Sequence, residues 1–179
     1  DGRTSQQCDQ INQLLGSSKV RNIIGNPILE GFTAPKLLWL KQHEEKHFDR
    51  LKSFLIAKDY IAFKLTGEKL TEPSDASGTV LMDINSLDWS AEVIGRLSLQ
   101  NLFLPEIKKS TEVVGTVSKR SSMLTGLLTG TPVVAGGADN AAAAVSTGSI
   151  HENVCQISLG TSGTVLQTTV TPVVDSGLR

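Results

Sequence analysis

Pro132-Val133-Val134-Ala135-Gly136-Gly137-Ala138-Asp139-Asn140, within this 179-residue chain, joins an apolar run to two glycines and a carboxylate. Its apolar run predicts a β-strand, and the two glycines predict a turn because glycine tolerates unusual backbone dihedrals. The alanines that follow predict a helix. Strands and helices alternate along the chain, which indicates an α/β or α+β architecture, and open α/β sheets bind ligands at the carboxyl ends of their strands.

Asp139 stands where the alanine helix begins, and two roles are open for it. Its carboxylate could cap the helix N-terminus, as Asp commonly does. It could also face a ligand cleft and accept a proton from a bound hydroxyl. The two roles are compatible, because a capping carboxylate can also border a cleft.

A second glycine-containing loop, Leu159-Gly160-Thr161-Ser162-Gly163-Thr164, lies between two β-type runs at residues 154–159 and 164–170. The pattern predicts a β-hairpin. Such a loop can present backbone N–H groups to phosphate oxygens, or it can be an ordinary hairpin turn. It is not a Walker A loop, because no lysine follows at the required place.

A third candidate, Ser74-Asp75-Ala76-Ser77-Gly78-Thr79, lies in a turn-rich segment at residues 71–87. A polar loop with one carboxylate could bind a ligand. Turn and capping roles are more common for such residues, so both interpretations stay open.

The other elements are predicted from local start and stop signals. We expect helices from Thr4 to Gly16, from Thr33 with Pro35 in its first turn, from Asp59 to Leu65 with a stop at Gly67, and from Ser90 to Leu97; we expect strands at Ser53–Ala57 and near Val113–Val117.

Composition excludes several classes of function. The net charge is −1, from 17 basic and 18 acidic residues, so we expect no nucleic acid partner and no anionic membrane partner. Two distant cysteines predict neither a disulfide nor a zinc site. His43 and His47 are four residues apart among charged residues, which indicates a solvated helix face. No apolar run is long enough to span a membrane, and we expect a cytoplasmic protein.

Several motifs in one order resemble the FGGY carbohydrate kinases. The first is Gly-Phe-Thr-Ala-Pro-Lys-Leu-Leu-Trp-Leu-Lys-Gln-His at residues 31–43, in which we expect Lys36 to tie down a loop and Trp39 to pack. The other motifs are Lys58-Asp59-Tyr60, Leu65-Thr66-Gly67-Glu68, residues 74–79, Trp89-Ser90, residues 136–142 and residues 158–163. Together they run through nearly the whole chain.

The resemblance implies an α/β protein with the actin-like, ribonuclease H-like ATPase fold, here as a partial chain. In that fold two domains flank a deep cleft. Residues 1–148 would be the C-terminal part of the first, sugar-binding domain. Residues 149–179 would be the opening β-hairpin of the second, nucleotide-binding domain.

The same resemblance implies the site. Asp139 would be the catalytic base, Asn140 would contact the sugar, and Gly160, Thr161 and Ser162 would bind the phosphates of ATP, with Mg²⁺ as cofactor and no protein metal ligand. We expect D-xylulose as the substrate. The alternatives are a kinase of ribulose, gluconate or glycerol, and a non-catalytic sugar- or nucleotide-binding module. Whether the protein forms a homodimer stays open.

The sequence departs from the family pattern in a few places. Ala138 stands where the family often has a third glycine, and Ala143 and Ser146 replace glycines in the helix that follows. The family's first phosphate loop would precede Asp1, and its adenosine site would follow Arg179. We therefore expect a polypeptide of only these residues to lack turnover.

Overall fold

Helices and short paired strands alternate along the chain in the computed structural model, which describes residues 2–160 and 163–174. A 3₁₀ turn at Gly2–Thr4 precedes the first helix, and a π-helical turn at Val20–Ile24 follows the second. The helices are α1 (Ser5–Leu15), α2 (Ser17–Lys19), α3 (Thr33–His43), α4 (Glu45–Phe48), α5 (Ala57–Thr66), α6 (Pro73–Ser77), α7 (Ala91–Arg96), α8 (Lys119–Thr125) and α9 (Asp139–Ser146).

The described strands form two-stranded sheets. The strands are β1 (Leu70–Thr71), β2 (Met82–Asp83), β3 (Asp88–Trp89), β4 (Glu106–Ile107), β5 (Val113–Thr116), β6 (Pro132–Val134), β7 (Cys155–Leu159) and β8 (Gly163–Gln167). β1 pairs with β4 in parallel, whereas β2–β3, β5–β6 and β7–β8 are antiparallel. The α/β class expected from the sequence is confirmed.

The main hydrophobic core lies where α1, α3 and α7 meet. Apolar residues recur at helical spacing on the inner face of each helix, and burial of each such side chain contributes roughly 1.5–3 kcal/mol. The buried members include Ile11 and Leu15 of α1, Leu37 and Leu38 of α3, Val93 and Ile94 of α7, and Val80 and Leu81 between α6 and β2.

Most helix boundaries agree with the sequence-based predictions. Gly67 ends α5 in the left-handed conformation, and the Ser90 hydroxyl accepts the Val93 N–H to cap α7. Thr4 precedes α1, but its hydroxyl donates to Glu30 O and makes no capping bond. Lys36 does tie down a loop, since its Nζ donates to Gly31 O at 2.6 Å.

One of the predicted strands is absent. Ser53 makes only an isolated bridge with Phe103, and Ala57 already belongs to α5, so no strand covers residues 53–57. An apolar run becomes a strand only where a partner strand extends beside it. His43 and His47 are exposed as expected, but they lie on two helices, because α3 ends at His43.

Within residues 2–160 and 163–174, no helix has both the length and the apolar character needed to cross a bilayer.

Candidate active site

The predicted strand, turn and helix at residues 132–140 are present as β6, a glycine turn and α9. Gly136 has a φ of +80°, which L-residues with a side chain rarely adopt. A Cβ at this position would also lie 3.4 Å from the Cδ atom of Lys58. The turn therefore needs glycine at position 136 for its backbone conformation, whereas a methyl group there would meet Lys58 at an ordinary contact distance.

Asp139 is the first residue of α9 and is exposed. Its Oδ1 accepts the N–H of Asn140 at 2.7 Å. The N-cap residue is Ala138, which has no capping side chain. The interpretation of Asp139 as the N-cap is therefore wrong by one residue, since the chain has already entered helical geometry at Asp139. Asn140 is exposed beside it.

Three hydrogen bonds from distant segments hold the turn in place. Lys58 Nζ donates to Ala135 O at 2.9 Å, and the Gly136 N–H donates to Ser110 O at 2.9 Å. The Ala138 N–H donates to the Ser74 hydroxyl at 2.9 Å. These bonds satisfy backbone groups on both sides of the glycines, and they fix the point from which Asp139 projects.

Lys58 lies at the centre of a charge cluster behind the turn. Its Nζ is 2.7 Å from Asp59 Oδ1, 3.3 Å from Asp75 Oδ2 and 3.9 Å from Glu72 Oε1. The Asp59 and Glu72 side chains are fully buried, with exposures of 1% and 0%. Charges with so little exposure need partners, and Lys58 partly offsets all three carboxylates.

The cluster shifts the pKa of two of its members. Burial, the largest effect, lowers the pKa of Lys58, but the hydrogen bond and charge of Asp59 and the charges of Asp75 and Glu72 together raise it above its ordinary value. Burial raises the pKa of the Asp75 carboxyl above its ordinary value, although Lys58 opposes that shift. Lys58 therefore stays cationic at neutral pH.

Glu72 connects the cluster to the turn. Its carboxylate accepts the backbone N–H groups of Ser74 and Asp75 and so caps α6. It also accepts the hydroxyls of Ser74, at 2.7 and 2.8 Å, and of Ser110, at 3.0 Å. The interpretation of residues 74–79 as a loop is wrong for residues 74–77, which are helical.

Sequence reasoning missed Lys58, Glu72 and the bonding role of Ser74. One local signal could have helped, because Pro73 after Glu72 is the arrangement expected where a helix starts with proline. The contact between Ser74 and Ala138 spans 64 residues, and no local pattern encodes it.

The predicted hairpin is present as β7 and β8, whose register runs from Cys155 with Gln167 to Leu159 with Gly163. Gly160 is exposed at the start of its turn. The predicted phosphate-binding residues Thr161 and Ser162 lie outside the described residues.

The hairpin is bonded to the end of α9 opposite Asp139. The Thr147 hydroxyl donates to Gln156 Oε1 at 3.2 Å, and the Thr168 hydroxyl donates to Ser149 O at 2.5 Å. An eight-residue helix is about 12 Å long, so α9 joins the Asp139 turn to the base of the hairpin over roughly that distance.

A cavity of about 570 Å³ lies elsewhere, between α3–α4 and the segment after α7. Lys41, Phe48 and Leu99 are among its lining residues, whereas Asp139, Asn140 and Gly160 are not. In the part of the chain that the structure describes, no group of three or more His, Cys, Asp or Glu residues is placed to hold a metal ion.

Comparisons with known proteins identify the family of the chain. Residues 1–146 match the N-terminal domain of the FGGY family of carbohydrate kinases. The chain is 44% identical over 165 residues to a xylulose kinase of Lactococcus lactis subsp. lactis (92% of this chain and 33% of the relative). It is 40% identical over 166 residues to a xylulose kinase of Staphylococcus xylosus (93% and 34%).

Among solved structures, xylulose kinase from Rhodospirillum rubrum superposes with a TM-score of 0.92 at 25% identity, over 98% of this chain and 36% of that one. The chain thus spans about a third of the length of the curated relatives it matches. The sequence match and the structural superposition both point to sugar kinases, and the resemblance found in the motifs is confirmed. The chain belongs to the FGGY family of carbohydrate kinases, and it has the α/β, actin-like fold of that family as a partial chain.

Proposed function

We propose that the protein carrying this chain is an ATP-dependent sugar kinase that converts D-xylulose to D-xylulose 5-phosphate, with Asp139 as the general base. The observation that carries the proposal is the exposed carboxylate at the start of α9, on a glycine turn whose backbone is bonded to Lys58, Ser74 and Ser110. Family membership supports the reaction class, and the names of the two similar relatives support the sugar.

In the proposed reaction a sugar hydroxyl oxygen attacks the γ-phosphorus of ATP. A new O–P bond forms as the bond from the γ-phosphorus to the bridging oxygen breaks, and ADP leaves with that electron pair. The hydroxyl proton passes to the Asp139 carboxylate. A weak base is sufficient, because the proton leaves late when the transition state for phosphoryl transfer is loose.

The remaining assignments also belong to the proposal. Asn140 follows the base directly and contacts the sugar, while Gly160, Thr161 and Ser162 bind phosphate oxygens of ATP, which would bring Mg²⁺ with it. Residues 1–148 act as part of a sugar-binding domain, and residues 149–179 open a nucleotide-binding domain. Their common support is the order of motifs shared with the family and, for Gly160, its exposed position at the hairpin turn.

Asp139→Asn in the full-length protein tests the catalytic role. We expect kcat to fall by a factor of about 10² or more, since loss of a positioned general base typically costs 10²–10⁴-fold. Sugar affinity should stay within a few-fold, because the amide keeps the size and polarity of the carboxylate. ADP release in a coupled assay gives kcat, and calorimetric titration with sugar gives the affinity.

Asp88→Asn is the matched control. Asp88 is also exposed, and its Oδ1 also accepts the N–H of the next residue at 2.7 Å. The control should retain normal turnover. Near-normal turnover of the Asp139→Asn variant would contradict the assignment of the base.

A panel of D-xylulose, ribulose, gluconate and glycerol, each supplied with ATP, tests the substrate. We expect kcat/KM to be highest for D-xylulose. A higher value for another compound would keep the kinase and replace the sugar, whereas binding without ADP release by the full-length protein would indicate a non-catalytic module.

A further inference from the structure

We propose that Ser74 is a positioning residue for the reaction: its hydroxyl sets the place of Asp139 by bonding the backbone one residue before it. The proposal rests on the function proposed above. Ser74 lies on α6, far from Asp139 in sequence, and it is the side chain that receives the Ala138 N–H.

The Ser74 hydroxyl acts as a donor and an acceptor at once. It donates to the buried carboxylate of Glu72 at 2.7–2.8 Å and accepts the Ala138 N–H at 2.9 Å. Because the hydroxyl proton is directed to a carboxylate, the oxygen lone pairs are left for the Ala138 amide. Hydrogen bonds in such a chain strengthen one another.

Glu72 is itself held on several sides, so the Ser74 oxygen has a fixed position. The Glu72 carboxylate is fully buried, and it accepts the backbone N–H groups of Ser74 and Asp75 as well as the Ser110 hydroxyl. This series of hydrogen bonds therefore starts on α6, which is held firmly, and ends at the turn with two consecutive glycines at positions 136 and 137, which needs to be fixed. Ala138 is the N-cap residue of α9, so its location sets where the helix starts and where Asp139 stands.

Ser74→Ala in the full-length protein should lower kcat because the turn loses one of its fixing bonds. A misplacement of about 1 Å can cost on the order of 10²-fold in rate, so we expect kcat to fall by roughly 10- to 100-fold with the sugar KM changed less than about threefold. Ser74→Cys replaces the hydroxyl by a somewhat larger thiol, which is a weak donor and a weak acceptor; it should fold and show a smaller loss of kcat than Ser74→Ala.

Ser77→Ala is the matched control on the same helix. Its hydroxyl donates to Ser74 O at 2.9 Å, so the variant also loses one local hydrogen bond of α6, while the Ala138 N–H keeps its partner. We expect kcat of this control within about twofold of the unmodified protein, because the bond to the Ala138 N–H is retained and a single local hydroxyl bond contributes little to stability.

A double-variant cycle separates positioning from general stability. If Ser74 acts through Asp139, then Ser74→Ala added to Asp139→Asn should lower the residual kcat less than about twofold, because interacting residues are non-additive. The residual rate is measured as sugar phosphate accumulated over hours at high enzyme concentration.

The inference is overturned if Ser74→Ala lowers kcat by the same factor in both backgrounds, or if both Ser74 variants keep normal kcat. The proposed function fails separately, if the unmodified full-length protein phosphorylates no sugar or if Asp139→Asn alone has normal turnover.

Discussion

At the scale of single residues, the site depends on a glycine that no other residue can replace without strain. Gly136 combines a φ of +80° with the close approach of the Lys58 side chain. Lys58 in turn donates to Ala135 O, so it holds the peptide group that joins Ala135 to Gly136. A substitution at position 136 should therefore change the conformation of the turn and the position of Lys58 in the charge cluster.

Gly136→Ala should lower the free energy of unfolding by about 1–2 kcal/mol, the cost of a left-handed conformation for an L-residue. It should also lower kcat of the full-length protein, since relief of the strain moves the turn. Gly126→Ala is the matched control: Gly126 has a φ of +78°, and a Cβ there would meet nothing within 4 Å.

Urea unfolding followed by circular dichroism should give similar losses of stability for the two glycine variants, and the coupled assay should show a loss of kcat only for Gly136→Ala. Equal kcat for both variants would show that the conformation of residue 136 does not influence the reaction through Asp139.

Asp75 allows a pH-dependent test of the charge cluster. Because burial raises the pKa of Asp75 in the folded chain, the folded state binds more protons than the unfolded state between the two pKa values. Ionisation of Asp75 thus reduces the free energy of unfolding as pH rises through the folded pKa. Below the unfolded pKa, about 3.9, this penalty is absent.

Asp75→Asn removes that penalty, so the free energy of unfolding of the variant, relative to that of the unmodified chain, should be larger at pH 7 than at pH 4. Urea titrations at several pH values measure the difference. A difference independent of pH would mean that Lys58, 3.3 Å from Asp75, cancels the effect of burial.

At the scale of elements, the sequence was most informative where a start or stop signal is local. Gly67 after α5, Ser90 before α7 and the small-residue turn of β7–β8 each predicted an element that the structure contains. The prediction of a strand at residues 53–57 was wrong because only Ser53 finds a partner, the distant Phe103, and the pairing does not continue beyond that bridge.

Helix α6 was not predicted for a different reason, because its capping residue is a glutamate. Ser, Thr, Asp and Asn are the usual capping residues, and Glu72 takes that role with a buried carboxylate that also bonds two hydroxyls. The position of Asp139 at the start of a helix, after a strand and a glycine turn, could be predicted from sequence. The set of residues that fixes it could not, because Lys58, Ser74 and Ser110 come from three separate segments of the chain.

At the scale of the whole molecule, the β7–β8 hairpin leaves large apolar side chains exposed, whereas those of the core around α1, α3 and α7 are buried. The exposed fractions are 65% for Ile157, 86% for Leu159 and 72% for Val165. Contiguous apolar surface of this kind favours association or binding of apolar dyes.

The chain of residues 1–179 on its own should therefore enhance the fluorescence of anilinonaphthalene sulfonate. Replacement of Ile157 and Val165 together by threonine, which retains β-propensity, should reduce that enhancement. Val113→Thr on β5, exposed by 57%, serves as the control and should change it little. Equal reductions would show that the dye does not bind at the hairpin.

The bonds that fix the Asp139 turn also have a consequence for the order of folding. Lys58 and Ala135 are 77 residues apart, and Ser74 and Ala138 are 64 apart. Contacts between such distant residues form late, since the entropy of closing a long loop opposes them until other structure has brought the segments together. A refolding chain would thus regain its helices first, and Asp139 would reach its native position among the last events.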